Sequence, residues 1–376
     1  MIYIIGAGPV GCYAAYLLAK KRNVRVFEEH AEIGKPVQCT GIVANDILNF
    51  IPENNKTIIR RLNKAVIYSP TGNSLDINIK KPEIIIDREK FDKYFYTKAK
   101  SRRSKIRFYL NHRLLKITER SMVFKKENGK TVSFPLKKKD IVIGADGPGS
   151  LVTKLINEKT RRKQKFFIGW QYVLNVKHNN HVEFFPEKKK ISWVVPETDK
   201  TARVGIFGRK IKKPDFEPFL KKLYPEYENK IISTQGGLIP IYDPKLKVFR
   251  HIKNKRRDLR LYSIGDAASF VKATTGGGII PGLKSAKILK KCIINNLEFN
   301  KESKKALKKE LMIHLTAYKI FSRMNKKDWD NLIDDLNSRQ IKKLIGTISR
   351  ENLRILAIKM LLKKPKLIRY VFKLIQ

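Results

Sequence analysis

The sequence predicts an α/β protein: a Rossmann-like nucleotide-binding domain that carries an inserted, mainly antiparallel β-sheet and is followed by a helical C-terminal region. Residues 1–30 read in order as strand, glycine turn, helix, strand and acid. Residues 166–250 alternate apolar and polar in short runs, the period of half-buried strands. From about residue 293 to 376 the pattern is helical and very basic. The expected parts are 1–63, 87–160 and 255–292 for the nucleotide-binding domain, 64–86 with 161–254 for the sheet, and 293–376 for the helices. A chain of 376 residues is long enough for two or three domains with sizeable cores.

The first strand is the apolar run 1–5, which stops at Gly6-Ala7-Gly8-Pro9-Val10-Gly11. Gly6 permits the tight turn, Gly8 lets a pyrophosphate approach the backbone, and Gly11 lets the following helix sit close to the sheet. That helix carries Ala14, Ala15, Leu17 and Leu18, and its N-terminus offers free N–H groups to phosphates. The second strand, 24–27, ends in Glu28, placed to accept hydrogen bonds from an adenosine ribose. An acid there disfavours a 2′-phosphate, so FAD or NAD is preferred to NADP.

Residues 29–45 form a Gly- and Pro-rich loop directly after that acid, where a doubly wound fold has its ligand crevice. Cys39 lies in it, as either a small, partly buried side chain or an active-site group. Strands are expected at 65–68 and 75–79, around a Ser69-Pro70-Thr71-Gly72-Asn73 turn, and at 84–86. A helix follows from Glu89 with Phe91, Tyr94, Phe95 and Ala99 on one face. Residues 106–134 return to strands, with a hairpin turn at Glu127-Asn128-Gly129.

A buried strand at 141–143 runs into Gly144-Ala145-Asp146-Gly147-Pro148-Gly149-Ser150, a turn able to hold an amide and a carboxylate near a pyrophosphate. The sheet region is dense in aromatics, among them Trp170, Tyr172, Phe184, Phe185, Trp193 and Phe207, most of which belong to its core. It is expected to end at Gly236-Gly237-Leu238-Ile239-Pro240. A strand at 261–264 then ends in Gly265-Asp266, and Gly276-Gly277-Gly278 leads into a helix over 283–292. Asp266 is placed to bond a ribityl hydroxyl, and the three glycine amides to face a flavin ring edge and steady its negative charge. Near the end, residues 366–376 place Leu367, Ile368, Val371, Phe372 and Ile375 on one side, either as a membrane-surface helix or as one packed on the body.

Charge is the compositional anomaly: 81 Lys+Arg against 34 Asp+Glu, a formal net of +47. Nucleic acid or an anionic membrane would suit it, but the basic residues are spread over the whole length, which assigns most of the excess to composition. No nucleic-acid module is recognisable. Three widely spaced cysteines, Cys12, Cys39 and Cys292, argue for a reducing compartment and against a disulfide framework or a metal site. No apolar run reaches the roughly 18 residues of a spanning helix. The protein is expected in the cytoplasm.

GAGPVG with Glu28, GADGPGS, and GDAA followed by TTGGGI together resemble the FAD-dependent oxidoreductases of the p-hydroxybenzoate hydroxylase fold. Within that group the chain is similar to the geranylgeranyl reductase family, which includes archaeal enzymes that saturate digeranylgeranylglycerophospholipids. EEHAEIGKPVQCTGIV resembles that family's loop after the ribose acid, with its cysteine at Cys39. IIIDREKFD resembles the segment that sets Arg88 beside FAD, and SFVKATTGGGIIPGLKSA the flavin-ring segment. The resemblance covers roughly residues 1–290. Of the family's aromatic-Gly-Trp-hydrophobic-aromatic-Pro run only Trp193 and Pro196 hold, and Pro281-Gly282 departs from its usual residues after the glycines.

The resemblance implies FAD held by Gly6, Ala7, Gly8, Pro9, Gly11, Glu28, Glu29, Cys39, Thr40, Gly41, Arg88, Asp146, Gly147, Gly265, Asp266, Gly276, Gly277, Gly278 and Ile279. Trp170, Trp193 and Pro196 are expected at the substrate, and Cys39, or a water, as the proton source. It implies hydride transfer from reduced FAD to an isoprenoid double bond in a membrane lipid or its precursor. No second dinucleotide fingerprint is present, so NAD(P)H binds transiently or a ferredoxin supplies electrons. The enzyme is then expected peripherally at the inner face of an anionic membrane. A monooxygenase of the same fold is the alternative; a halogenase is disfavoured because Ile191 stands first where those enzymes have Trp-x-Trp. A nucleic-acid-binding protein rests on charge alone.

Overall fold

The computed structural model describes residues 1–118, 120–254 and 258–374, so Ile375 and the expected boundary at 255 lie outside the described residues. It has the expected mixed α/β architecture. The first sheet has six strands in the order Phe249–Lys253, Asp258–Ser263, Ile141–Gly144, Ile2–Ile5, Val24–Phe27, Ile106–Tyr109. All but the antiparallel edge strand Phe249–Lys253 run parallel. Alternate side chains leave opposite faces of a strand. Ile2, Ile4, Val24, Val26, Ile141 and Ile143 therefore pack under the helices Pro9–Leu18, Arg88–Lys100 and Ile279–Asn295. Tyr3, Ile5, Phe27 and Val142 face the other way, onto the helix Leu151–Ile156 and a small antiparallel sheet, Arg113–Ile117, Ser121–Lys125 and Thr131–Pro135. Phe27 stacks there on Phe124 at 4.3 Å and on Tyr109 at 4.8 Å.

Register brings the carboxyl ends of these strands to one level: Ile5 lies beside both Phe27 and Gly144, and Gly144 beside Ser263. The chain leaves Ile2–Ile5 for a neighbour on one side and later returns on the other, which opens a crevice at that end.

The second sheet has eight strands, in the order Ile231–Ile241, Lys165–Asn175, Thr201–Gly208, Lys190–Pro196, Val182–Glu187, Ile58–Tyr68, Ser74–Ile86, Ile42–Val43. It is antiparallel except where Val182–Glu187 meets Ile58–Tyr68. Two local expectations are corrected. The strand expected from residue 65 starts at Ile58, and those expected at 75–79 and 84–86 are one strand. Register shifts between Ile58 and Arg60 and between Leu62 and Lys64 break the alternation that would have shown this. Pro82 falls opposite the second shift, where no ladder donor is required. The stretch from Gly236 to Pro240 belongs to Ile231–Ile241, the last strand of this sheet in the chain, which ends one residue later, as expected. A Cβ at Gly236 would sit 3.1 Å from the Trp170 ring, so the glycine makes room for the indole.

The helix expected over 283–292 is Ile279–Asn295. Pro281 is tolerated because first-turn N–H groups have no acceptor within the helix. The C-terminal region is helical as expected: Phe299–Ser303, Lys309–Phe321, Lys326–Leu336, Arg339–Thr347 and Leu353–Lys363. Part of it lies on the Ser74–Ile86 strand, where Ile333 packs on Leu75 and Ile77 and Gly346 approaches the Asn78 carbonyl. The segment Pro365–Leu374 is a 3₁₀ helix, not the α-helix of the sequence reading. At three residues per turn Leu367 and Tyr370 turn inward, while Ile368, Val371 and Phe372 stay exposed, so the expected single apolar side is split.

Candidate functional site

The crevice widens into a cavity of about 1270 Å³, larger than the roughly 300–1,000 Å³ of an ordinary small-molecule pocket. Three separated motifs meet in its wall, because each follows one of the strands whose ends are level: Gly6 after Ile5, Asp146 after Gly144, Gly265 after Ser263. Nearly all the expected residues line it. Gly11 and Pro196 do not. A Cβ at Gly11 would stand 2.0 Å from the Gly6 carbonyl oxygen, so Gly11 serves helix–turn contact. Pro196 is buried at the end of its strand. Trp193 borders the cavity while its indole N–H donates to Gln171 Oε1 at 3.2 Å. Trp170 also lines it, and its indole N–H has no partner among the described residues.

The turn suits a pyrophosphate. Gly8 precedes the helix at φ −63°, and a Cβ there would meet nothing within 4 Å, so its backbone faces open space. Gly6 has φ +99°, and a Cβ would meet the Ala145 carbonyl at 2.3 Å. Glu28 is held by the Ala7 amide, which donates to Oε2 at 2.7 Å, and by the His30 amide, which donates to Oε1 at 3.2 Å. Carboxylate oxygens have lone pairs to spare for ribose hydroxyls. Asp146 accepts from the Leu151 amide through Oδ2 at 3.1 Å, whereas its buried Oδ1 has no partner among the described residues. Burial pushes the Asp146 carboxyl up to about 6, against hydrogen bonds from Ser150 and Leu151. Burial does the same to Asp266, also to about 6, with Arg88 pulling the other way. The Asp146 Oδ1 acceptor beside open glycine backbone fits a hydroxyl-rich dinucleotide.

The Cys39 loop is anchored from the second sheet. Arg203 Nη1 donates to the Thr40 carbonyl at 2.6 Å and its other nitrogen pairs with Glu197. Gly41 takes φ +74° so that its backbone can pass Ile86 and Arg203. Its amide lies 3.3 Å from Cys39 Sγ. Behind the loop, Arg88 is held by Asp92 at 3.2 Å. Burial opposes the guanidinium charge, and Asp92 and Cys39 more than offset it. The other two cysteines are buried away from the cavity, Cys12 donating to the Ala7 carbonyl at 3.0 Å.

A polar cluster in the same wall carries no sequence signal of its own. Lys272, at the base of the Gly276–Gly278 turn, pairs with Glu351, their side chains 4% and 3% exposed. Arg350 pairs with Glu83 at 2.7 Å, and Thr274 Oγ1 lies 2.6 Å from His314 Nδ1. Burial pushes the Lys272 ammonium down while Glu351 holds it up. Burial also works to raise Glu351, and Lys272 outweighs it, leaving that carboxyl below its ordinary range. The partners are 79 positions apart, so only the fold brings them together. Phe321, Trp329, Leu332, Ile333 and Leu336 of the C-terminal helices supply an apolar wall. Among the described residues no group of three or more His, Cys, Asp or Glu is arranged to hold a metal ion.

Residues 4–45 match a family model described as an NAD(P)-binding Rossmann-like domain. The chain is 30% identical over 306 residues to digeranylgeranylglycerophospholipid reductase 2 of Methanosphaera stadtmanae, covering 76% of this chain and 75% of that one. It is 25% identical over 404 residues to digeranylgeranylglycerophospholipid reductase 2 of Methanopyrus kandleri, covering 98% of each. Its fold superposes on a geranylgeranyl bacteriochlorophyll reductase-like protein from Thermoplasma acidophilum with a TM-score of 0.78 at 19% identity, covering 99% of this chain and 98% of that one. A flavin-dependent halogenase, CmlS, shares the fold with a TM-score of 0.65 at 16% identity, covering 97% and 78%.

Proposed function

The chain belongs to the digeranylgeranylglycerophospholipid reductase family, and from that premise we propose that it is an FAD-dependent reductase that saturates isoprenoid double bonds of a membrane lipid or its precursor. One observation carries the reading: the cavity that begins at the dinucleotide turn continues, without a break, to the apolar wall of the C-terminal helices. A cofactor and a long apolar chain fit it together.

When bound, reduced FAD supplies hydride to one carbon of the double bond. The chain's own residues do the rest. Gly6, Gly8 and the Pro9–Leu18 helix N-terminus would hold the pyrophosphate, and Glu28 the adenosine ribose. Asp266 would take a ribityl hydroxyl, and the Gly276–Gly278 amides would lie toward the flavin ring. Lys272, fixed against Gly277 and neutralised by Glu351, steadies that turn. Trp170, Trp193 and Phe207 exclude water from the middle of the cavity, and Ile333, Leu336 and Trp329 cover the distal part of the isoprenoid chain. An isolated alkene is a poor hydride acceptor, so a proton must reach the second carbon early. Cys39, held by the Gly41 amide in the same wall, is the candidate proton source. Electrons come from NAD(P)H binding transiently or from a ferredoxin.

The test is an anaerobic half-reaction. Protein carrying flavin bleached by dithionite is mixed with a geranylgeranyl lipid. Return of the oxidised spectrum without oxygen, with lipid mass rising in steps of two hydrogens, is the expected result. Reoxidation only on admitting air overturns the reductase reading in favour of a monooxygenase.

A further inference from the structure

The Leu353–Lys363 helix has one face packed and one face bare. Leu356 is buried, and Met360 and Leu361 pack with Trp329, Leu367 and Tyr370. The bare face consists of Arg354, Ile355, Ile358, Lys359, Leu362 and Lys363, all exposed. At about 100° per residue, Ile355, Ile358 and Leu362 fall within a stripe of about 60°, with Arg354 on one flank and Lys359 and Lys363 on the other. These three cations have no ion-pair partner among the described residues, whereas Lys364, Lys366 and Arg369 are tied to Asp335 and Lys373 to Asp328. The neighbouring 3₁₀ segment adds Ile368, Val371 and Phe372. Six of the thirteen exposed large hydrophobic side chains among the described residues thus lie between positions 355 and 372, with Leu362 at 76% and Phe372 at 59% exposure. No Asp or Glu occurs after Glu351.

We propose that this surface docks on an anionic lipid bilayer, with the aliphatic stripe at the acyl boundary and the flanking cations at the lipid phosphates. An apolar stripe bordered by cations is the arrangement an interfacial helix requires. A second copy of the chain fits it poorly, since a two-fold contact would set the same unpaired cations against themselves. Nucleic acid fits it poorly as well, since Phe372 is the single aromatic among these six side chains and successive bases need several stacking platforms. The position also matters: Leu353, the first residue of this helix, lines the substrate cavity, as do Arg350 and Glu351 just before it. The docking face and the cavity wall are two sides of one element. This inference rests on the lipid-reductase reading for its purpose, but not for its measurement.

The test is flotation of the full chain, with its flavin, against vesicles of phosphatidylglycerol and of phosphatidylcholine. Binding is expected to the anionic vesicles, weakening as salt rises. Leu362→Ser and Ile358→Ser each lower the partition about tenfold. Lys359→Gln and Lys363→Gln each lower it about fivefold and flatten the salt dependence. All four sites are exposed, so flavin content and turnover of a detergent-dispersed isoprenoid stay at the parent level. The proposal is overturned if the parent does not float with anionic vesicles, if the four variants float as it does, or if RNA displaces it from the vesicles. It is also overturned if sedimentation shows an oligomer that Leu362→Ser converts to monomer. A parent that floats but turns over no isoprenoid would overturn the reductase reading and leave the docking surface standing.

Discussion

Gly8 and Gly11 lie in the same turn and are predicted to fail in opposite ways. At Gly8 the backbone, φ −63° and ψ 176°, is open to any L residue, and an added Cβ meets no atom within 4 Å. Gly8→Ala loses a few tenths to about 1 kcal/mol as a poorer N-cap and regains about 0.4–1 kcal/mol from a stiffer unfolded chain. The ligand-free protein is therefore expected within about 1 kcal/mol of the parent. The new methyl occupies the space through which a pyrophosphate reaches the backbone, so flavin retention falls at least tenfold. At Gly11 an added Cβ sits 2.0 Å from the Gly6 carbonyl oxygen, well inside any contact real Cβ atoms make, and the obstacle is backbone. Gly11→Ala must push the helix off the glycine turn, at about 3 kcal/mol or more. Urea unfolding of the flavin-stripped proteins, with flavin titration of the same samples, separates the two. If Gly8→Ala binds flavin as the parent does, the turn does not cradle a pyrophosphate and the cofactor assignment is wrong. Equal stability loss in both variants would show that the turn is only structural.

The Lys272–Glu351 pair yields a second expectation. Glu351→Gln leaves a buried cation unpaired and costs about 3–5 kcal/mol in a urea melt, while adding Lys272→Met restores most of it; a double variant no better than the single one would refute the pairing. The third concerns pH. With Asp266 at about 6 in the folded state, the protein binds an extra proton between about pH 4 and 6, so this carboxyl subtracts stability as pH rises through that window. Asp266→Asn should stabilise the flavin-free protein by up to about 3 kcal/mol at pH 7.5 and hardly at all near pH 4; a gain independent of pH would show that titration is not its cause.

The glycine turns and acids that gather at the crevice were legible because each is local. Gly6, Gly8, Glu28, Asp146 and Asp266 each sit at a strand end, in a turn whose chemistry depends on a few adjacent residues, and the parallel register then brings those ends level. The same locality exposed the alternating strands of the second sheet, except where bulges at Ile58–Arg60 and Leu62–Lys64 shifted the period. What the sequence could not show depends on contacts between distant positions. Nothing near Lys272 announces Glu351, nothing near Thr40 announces Arg203, and no periodicity says that Trp329 and Ile333 will wall a cavity begun at Gly6. The C-terminal end makes the same point. Composition established that residues 352–374 are apolar and basic without an acid. Only packing on Trp329, Leu367 and Tyr370 decided which side chains turn inward and which three cations of Leu353–Lys363 have no ion-pair partner among the described residues, because burial is settled by the surface a helix meets and not by the helix itself.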